Sequence, residues 1–364
     1  MHISELETPA VIVDLDVMER NLSRMAAYCR SKNLRLRPHT KTHKIPELAK
    51  RQLASGANGI TVAKIGEAEV MLDAGITDIL IAYPLIGLGK AERLAALADR
   101  IDITVALDSA DVAQALSAQL HAKGVSIDAL VELDVGFGRC GVGKAQSVLR
   151  LAQEIAGLPG LDFRGLMFFP GHFQVPAQER LQLLRNTNEF LHESLGRLEQ
   201  AGLPATTVSG GSTPTAFEGH LFHGVNEIRP GMYIFNDRNM VGIGNASLED
   251  CAASVVTTVV STSVSGRAII DGGSKTFSSD RHHAGDGRGF GLIREDADAE
   301  VESLSEEHGH LNIKRSTRQY KVGERLRVIP NHVCSTVNMH NEIYGVRNEQ
   351  VETVWRVLGR GKIR

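Results

Sequence analysis

A basic segment at residues 37–44, RPHTKTHK, contains a lysine that could do covalent chemistry. Lys41 lies two residues past the end of a predicted strand, and the same segment carries Arg37, His39 and His43. Neighbouring cations lower the pKa of a lysine amine, and such an amine can form a Schiff base with an aldehyde cofactor. A basic loop that is simply exposed to solvent is the alternative for this segment.

A glycine-rich turn, VSGGSTPT at residues 208–215, follows another predicted strand. Gly210 and Gly211 would let the backbone approach a phosphate group closely, and Ser212 and Thr213 add hydroxyl groups. The N-terminus of a following helix would favour the negative charge. A tight turn of small residues is the alternative. The turn indicates a phosphate site mainly because it occurs in the same chain as Lys41.

A third segment, PNHVCSTVN at residues 330–338, contains His332 and Cys334, separated by one residue on a predicted strand end. Alternate residues of a strand point to the same face. Imidazole and thiolate are good zinc ligands, and two protein ligands would leave positions open for water or substrate. A buried histidine beside an inert cysteine is the alternative.

Two further side chains follow predicted strands. Arg139 in ELDVGFGRCG could contact the ring or phenolic oxygen of a cofactor, or it could pair with Asp134. His172, in the sequence Pro-Gly-His after the run FRGLMFF, is a candidate acid or base. A lone histidine is more often structural.

The elements that must position these residues alternate along the first two thirds of the chain. Short apolar runs separated by helical patterns occur at residues 9–15, 33–39, 59–63, 78–83, 102–108, 128–135, 163–169 and 206–211. Their continuous apolar character is typical of parallel strands buried on both faces. The pattern predicts a (β/α)₈ barrel over residues 16–245. A doubly wound sheet is the alternative, disfavoured because no G-x-G-x-x-G follows the first run.

Helix signals accompany these apolar runs, and helical periodicity becomes rare after residue 245. Asp16 is predicted to cap a helix over residues 17–31, with Glu19 completing a capping box. Beyond residue 245 the strand-like segments predict a mostly antiparallel β domain over residues 246–364, joined by residues 1–15. Residues 278–323 are predicted to be mainly loop.

Composition excludes several classes of protein. The chain has 364 residues and a net charge of -3, which gives no reason to expect nucleic acid or an anionic membrane as a partner. No apolar run approaches the roughly 20 residues that cross a bilayer, and no secretory signal is visible. Four widely spaced cysteines argue against a disulfide framework and favour the reducing cytoplasm.

Eight ordered motifs, spread over essentially the whole chain, resemble the D-threonine aldolase and D-serine dehydratase family. This family comprises fold-type III pyridoxal-phosphate enzymes, which share a barrel with alanine racemase. The motifs are TPAVIVDLDVMERN, RPHTKTHK, ELDVGFGRCGV, VSGGSTPT, EIRPGMYIF, IIDGGSKTFSSD, SEEHG and PNHVCSTVN.

The resemblance implies a cofactor, a metal and a set of site residues. Lys41 matches the lysine that holds pyridoxal 5'-phosphate, and Tyr233 is similar to a tyrosine that closes over the phosphate. The phosphate cup and the other cofactor contacts are expected at Gly210, Gly211, Ser212, Thr213, His39 and Arg139. His332 and Cys334 match two ligands of a divalent metal, with zinc favoured and manganese or magnesium as alternatives. Family members are typically homodimers.

The expected reaction is that of a lyase on a D-3-hydroxy amino acid such as D-serine, D-threonine or 3-hydroxyaspartate. The H-x-C spacing and Gly171-His172 resemble the dehydratases, which give a 2-oxo acid and ammonia. Val175 stands where aldolases tend to have a histidine, although Phe169-Pro170 departs from the dehydratases' His-Ala.

Three alternatives to dehydration remain. Retro-aldol cleavage to glycine and an aldehyde uses the same cofactor and metal. A racemase needs no metal, so the metal pair argues against racemisation. A non-catalytic pyridoxal-phosphate-binding protein is disfavoured by the long C-terminal β domain.

Overall fold

The chain forms two compact units in a computed structural model that describes residues 1–283 and 289–364. One unit, the barrel unit, comprises Met25–Lys41, Pro46–Gly231 and Gly361–Arg364. The other, the sheet unit, comprises Met1–Arg24, Thr42–Ile45 and Met232–Arg360. The domain limits predicted from the sequence, 16–245 and 246–364, stay predictions.

Eight parallel strands form the wall of the barrel unit. In spatial order they are Arg35–Leu36, Glu227–Ile228, Thr207–Gly210, Leu161–Phe168, Ile127–Leu133, Asp102–Leu107, Asp78–Ile81 and Ile60–Val62. A parallel bridge between His39 and Thr61 connects the first of these strands to the last. The predicted barrel is therefore confirmed.

Helices alternate with the strands along the chain. The long ones are Leu15–Ser31, Pro46–Ala54, Ile65–Asp73, Leu88–Ala98, Ala110–Lys123, Ala145–Gly157 and Arg180–Gln200. Leu80, Ala106, Leu130 and Met167 form a separate buried cluster on neighbouring strands, each at most 1% exposed. Side chains one position away along these strands belong to the larger cluster that includes the helices, as the alternation of strand side chains requires. None of the described helices combines the length and apolarity needed to cross a bilayer.

The first long helix is capped by a different residue from the predicted one. Asp14, rather than Asp16, accepts a hydrogen bond from the N–H of Val17 at 3.0 Å. Asp16 and Glu19 instead pair with Arg347. The predicted cap was wrong because two aspartates two residues apart are both good caps, and only the actual start of the helix decides between them.

The described part of the sheet unit contains nine mostly antiparallel strands. In spatial order they are Arg267–Ile270, Gly309–Asn312, Glu300–Leu304, Gly291–Ile293, Arg325–Pro330, Ala253–Ser261, Ala10–Asp14, Glu342–Arg347 and Gln350–Arg356. Arg267–Ile270 also pairs with Ala253–Ser261, so six of the strands close into a barrel. The short helices of this unit are Arg238–Gly242, Ser274–Phe277 and Val333–Met339.

The prediction that residues 278–323 are mainly loop holds for most of the described residues of this segment. It contains the three short strands Gly291–Ile293, Glu300–Leu304 and Gly309–Asn312. Residues 284–288, within the same segment, lie outside the described residues.

A buried ion-pair network links three strands of the barrel unit. Arg37 donates from Nε to Glu227 at 2.9 Å and from a guanidinium nitrogen to Asp78 at 3.2 Å. Glu227 is 1% exposed and also accepts the hydroxyl of Ser209 at 2.6 Å. Burial alone would lower the pKa of Arg37, but the two carboxylates raise it. Arg37 therefore serves the barrel wall rather than the expected cationic surroundings of Lys41.

Replacing Arg37 by methionine should lower the free energy of unfolding by about 3 kcal/mol, because buried Glu227 loses the guanidinium that hydrogen-bonds to it and is left with the more distant guanidinium of Arg35, 3.8 Å away. Urea unfolding measures the loss. Arg164→Ala is the matched control: it removes an exposed pair with Asp128 and should cost about 1 kcal/mol or less. Equal losses in the two variants would contradict the assigned role of Arg37.

Candidate functional site

The glycine-rich turn lies at the carboxyl end of the strand Thr207–Gly210. Gly211 has φ +92°, a conformation that favours glycine. A Cβ atom on Gly210 would lie 2.3 Å from the ring of Phe168, so only glycine fits there. Ser212 precedes the helix that was expected after the turn, and this helix, Thr213–Leu221, is a 3₁₀ helix. Gly210 and Gly211 carry no side chain, which suits the close approach of a phosphate to the backbone.

Lys41 lies on a 3₁₀ turn, Thr40–Thr42, in the barrel unit. Its Nζ is 5.6 Å from the centroid of the Phe169 ring, and the guanidinium of Arg139 is 4.4 Å from the same centroid. The structure thus brings together two cations that come from different strand ends. The barrel mouth is where a catalytic lysine is expected.

The pKa of His39 reports the electrostatic field around Lys41. Burial lowers this pKa, and the positive charges of Lys41, Arg229 and Arg139 lower it further, to well below the ordinary value. His39 is therefore neutral at neutral pH. A cluster of cations around a neutral imidazole fits an anionic cofactor, so the residues present suit pyridoxal phosphate.

Arg229 and Glu132 are site residues that the sequence reasoning missed. Arg229 is buried and donates to the Ser209 hydroxyl and the Phe168 carbonyl, both at 2.8 Å. Burial lowers its pKa to about 10. Glu132 is also buried, and burial raises its pKa. A charged residue inside an apolar run was the available signal for Glu132.

Arg139 does not form the ion pair with Asp134 that was considered as its alternative. Its nearest carboxylate is Glu132, at 4.0 Å. Asp134 instead accepts the backbone N–H groups of Gly136 and Gly138, each at 3.0 Å. Asp134 therefore shapes the loop, and the guanidinium stays beside Phe169.

His172 lies on a 3₁₀ turn, Gly171–Phe173, that follows the strand Leu161–Phe168. Burial lowers its pKa, and the nearby Asp134 opposes this shift in part. Its Nδ1 is buried and has no hydrogen-bond partner in the described part of the chain. A neutral imidazole with an unengaged nitrogen can accept a proton, as the predicted acid or base must.

In the sheet unit, His332 and Cys334 lie on a helix start rather than on the predicted strand end. The strand ends at Pro330, His332 caps the helix Val333–Met339, and Cys334 lies in its first turn. The two side chains nevertheless hydrogen-bond to each other. The Cys334 thiol also lies 3.3 Å from the Thr42 hydroxyl.

Asp237 positions this pair, and the sequence reasoning missed it. It is fully buried, and its Oδ2 lies 3.5 Å from His332 Nδ1 and accepts the N–H of Val333 at 3.1 Å. Its other oxygen accepts the N–H of Met240 at 3.0 Å. A carboxylate behind a histidine is the usual device that orients a metal ligand.

The donor set of this pair fits a transition metal. Imidazole nitrogen and thiolate sulfur are the preferred ligands of zinc. Burial would lower the pKa of His332, but Cys334 and Asp237 raise it well above the ordinary value. Within residues 1–283 and 289–364 no group of three or more ligating side chains is present, so the protein would supply two ligands. Tyr233, buried in the sheet unit, stays a predicted cofactor contact.

Asp237→Asn should lower metal affinity about 10–100-fold, the usual cost of losing an outer partner of a ligand. The amide oxygen can still accept the N–H of Met240, which limits the effect on folding. Competition with a coloured chelator measures the affinity. Asp250→Asn, elsewhere in the same unit, should leave it unchanged. An unaltered affinity in Asp237→Asn would contradict the positioning role.

Comparisons with known proteins agree with this fold. Residues 13–239 match the alanine racemase N-terminal domain, and residues 252–346 match a serine dehydratase domain. The D-threonine aldolase of Arthrobacter sp is 34% identical, with 99% of this chain and 94% of that protein covered. The D-threo-3-hydroxyaspartate dehydratase of Delftia sp. (strain HT23) is 35% identical, with 91% and 92% covered.

A solved structure extends the agreement to three dimensions. The crystal structure of D-threonine aldolase from Filomicrobium marinum superposes with a TM-score of 0.93 at 35% identity, covering 99% of this chain and 98% of that one. The chain therefore belongs to the family of pyridoxal-phosphate-dependent lyases that contains D-threonine aldolase and D-threo-3-hydroxyaspartate dehydratase, and that shares its barrel with alanine racemase.

Proposed function

We propose that this protein is a pyridoxal-phosphate- and divalent-metal-dependent lyase that acts on D-3-hydroxy amino acids, with dehydration as the favoured reaction. The observation that carries the proposal is the contact of His332 with Cys334 in front of the buried Asp237. Solved mutants of D-threo-3-hydroxyaspartate dehydratase replace a histidine and a cysteine that are likewise two positions apart. The cysteine mutant is described as the metal-free form.

The cofactor, when bound, supplies an electron sink for charge that develops at Cα of the substrate. Lys41 would hold it, with the turn from Gly210 to Thr213 on its phosphate. The side chains of His39 and Arg139 would lie against it. Arg229 keeps the base of the site positive from its buried position.

A divalent metal, with zinc favoured and manganese or magnesium as alternatives, supplies a Lewis acid for the 3-hydroxyl group. His332 and Cys334 would hold it, and Asp237 fixes the imidazole ring. The sulfur ligand softens the site, which favours zinc over magnesium.

Two proton acceptors of the barrel unit distinguish the reactions. In dehydration, the amine of Lys41 takes the proton from Cα. In retro-aldol cleavage, His172 takes the proton from the 3-hydroxyl oxygen. Gly171-His172 and Cys334 resemble the dehydratases, so we place dehydration first. The neutral state of His172 keeps cleavage as the second candidate.

Incubating the metal-loaded holoenzyme with D-threonine separates these reactions. Dehydration gives 2-oxobutanoate and ammonia, whereas cleavage gives glycine and acetaldehyde. Glycine and acetaldehyde alone would overturn the preference for dehydration. L-configured product that persists after chelation would indicate a racemase instead.

We further propose a homodimer in the cytoplasm. None of the four cysteines forms a disulfide, and burial raises the pKa of Cys29 and Cys251 to about 12, so these two thiols stay protonated. Free thiols suit a reducing compartment. Light scattering after size-exclusion chromatography tests the dimer, because a mass near 39.4 kDa would show a monomer.

A further inference from the structure

Two histidines meet on the outer surface of the barrel unit, apart from the residues discussed above. His192 lies on the helix Arg180–Gln200, and His223 follows the 3₁₀ helix Thr213–Leu221. His192 Nδ1 is 3.3 Å from His223 Nε2, and the two rings are inclined at 72°. Both side chains are exposed. Two imidazole nitrogens therefore lie close together where solvent can reach them.

The separation of these nitrogens matches that of two ligands on one metal ion. Imidazole nitrogens that each lie about 2.0–2.1 Å from a tetrahedral zinc are about 3.3 Å apart. Without a metal, one ring must contribute an N–H to make the contact favourable. A metal ion can take the place of that proton. We propose that His192 and His223 form a surface site for a transition-metal ion, with zinc as the ion that the geometry suits.

The backbone around His223 is held in place for this role. The side-chain amide of Asn188 donates to the carbonyl of Leu221 at 2.9 Å and accepts the N–H of His223 at 2.8 Å. Asn188 lies one helical turn before His192 on the same helix. Immediately after His223, the backbone at Gly224 packs closely against the helix, because a Cβ on Gly224 would lie 2.5 Å from Leu195. The loop is thus fixed to the helix on both sides of His223, so little ordering remains to be done when the ion binds.

The surroundings can complete the coordination of an ion. The pair borders a recess of about 590 Å³ that Glu189 also lines. Glu189 precedes His192 by three residues, so it lies on the same face of the helix. The described residues provide no preformed group of three ligands. Water would therefore complete the site, and we expect weaker binding than at a site with a full set of protein ligands.

Equilibrium dialysis of the untagged holoenzyme against rising zinc, with elemental analysis, tests the site. Wild type should take up one more zinc per chain than His192→Ala or His223→Ala, or bind that ion at least about ten-fold more tightly. His121→Ala, an exposed histidine on another barrel helix, is the control and should match wild type. His332→Ala should lose a different zinc, so failure of the proposed function would not affect this result.

Two outcomes would overturn the proposal. One is equal zinc uptake and affinity in wild type and both variants. The other is a loss in only one of the two variants, since the site requires both rings. Circular dichroism of each variant establishes that it is folded, as expected for truncation of exposed side chains.

Discussion

Replacing Lys41 by alanine is expected to abolish both turnover of D-threonine and the visible absorbance of the bound cofactor. The amine is the proposed attachment point for pyridoxal phosphate and the proposed acceptor of the Cα proton. Loss of a positioned general base alone lowers the rate about 10²–10⁴-fold. Loss of the covalent bond to the cofactor should lower the rate further. Absorbance spectra and product assays on the same reconstituted sample measure both effects.

Two further variants separate covalent attachment from charge. Lys41→Arg keeps a cation near Phe169 but cannot form the bond, so it should behave like alanine. Lys50→Ala removes an exposed lysine from the helix Pro46–Ala54 and should match wild type. Visible absorbance that survives in Lys41→Ala would show that another residue holds the cofactor.

The barrel could be predicted from the sequence because most of its strands are continuously apolar. The strand that the apolar runs did not reveal is Glu227–Ile228. Its first residue turns a carboxylate toward Arg37 and Ser209, so it has no apolar signal. Its identity as a strand depends on a buried ion pair between distant parts of the chain, which local patterns do not contain.

Part of the sheet unit was harder to predict for a related reason. The strand Glu300–Leu304 exposes Glu302 and Ser303 to solvent. Short strands with one polar face resemble loops, and their pairing with neighbouring strands stabilises them. The antiparallel character of the domain followed from its longer apolar segments, such as residues 253–261.

Some residues of the candidate site could likewise be predicted from the sequence, and others could not. Lys41 and the turn at Gly210 have sequence signatures because local backbone shape and residue type define them. The roles of Arg229 and Asp237 are not evident from local patterns, since each acts through contacts with segments far away in the sequence. The pairing of Arg139 with Glu132 rather than Asp134 likewise depends on how the loop folds back over its own strand.

Replacing Cys334 by alanine should remove the metal and the lyase activity while the visible absorbance of the cofactor remains. His332→Ala should do the same. A Lewis acid lowers the barrier to loss of the hydroxyl from Cβ, or to cleavage of the Cα–Cβ bond, by several kcal/mol. We therefore expect the rate to fall about 10³-fold or more. Elemental analysis, absorbance and the product assay with D-threonine are measured on each variant. Retained absorbance distinguishes this failure from that of Lys41→Ala.

The control for Cys334→Ala is Cys251→Ala, which removes a buried thiol from the same unit. The Cys251 thiol donates to the Ser247 carbonyl at 3.8 Å and is not a proposed ligand, so metal content should not change, although the cavity can lower stability. Full lyase activity in Cys334→Ala and His332→Ala after exhaustive chelation would contradict a metal-assisted reaction, whereas L-configured product under the same conditions would favour racemisation. If chelation of wild type abolishes lyase activity and zinc restores it, the Cys334 sulfur explains the preference for zinc. Cys334→Asp tests this explanation, because a carboxylate oxygen in place of the sulfur should shift the preference to harder ions such as manganese.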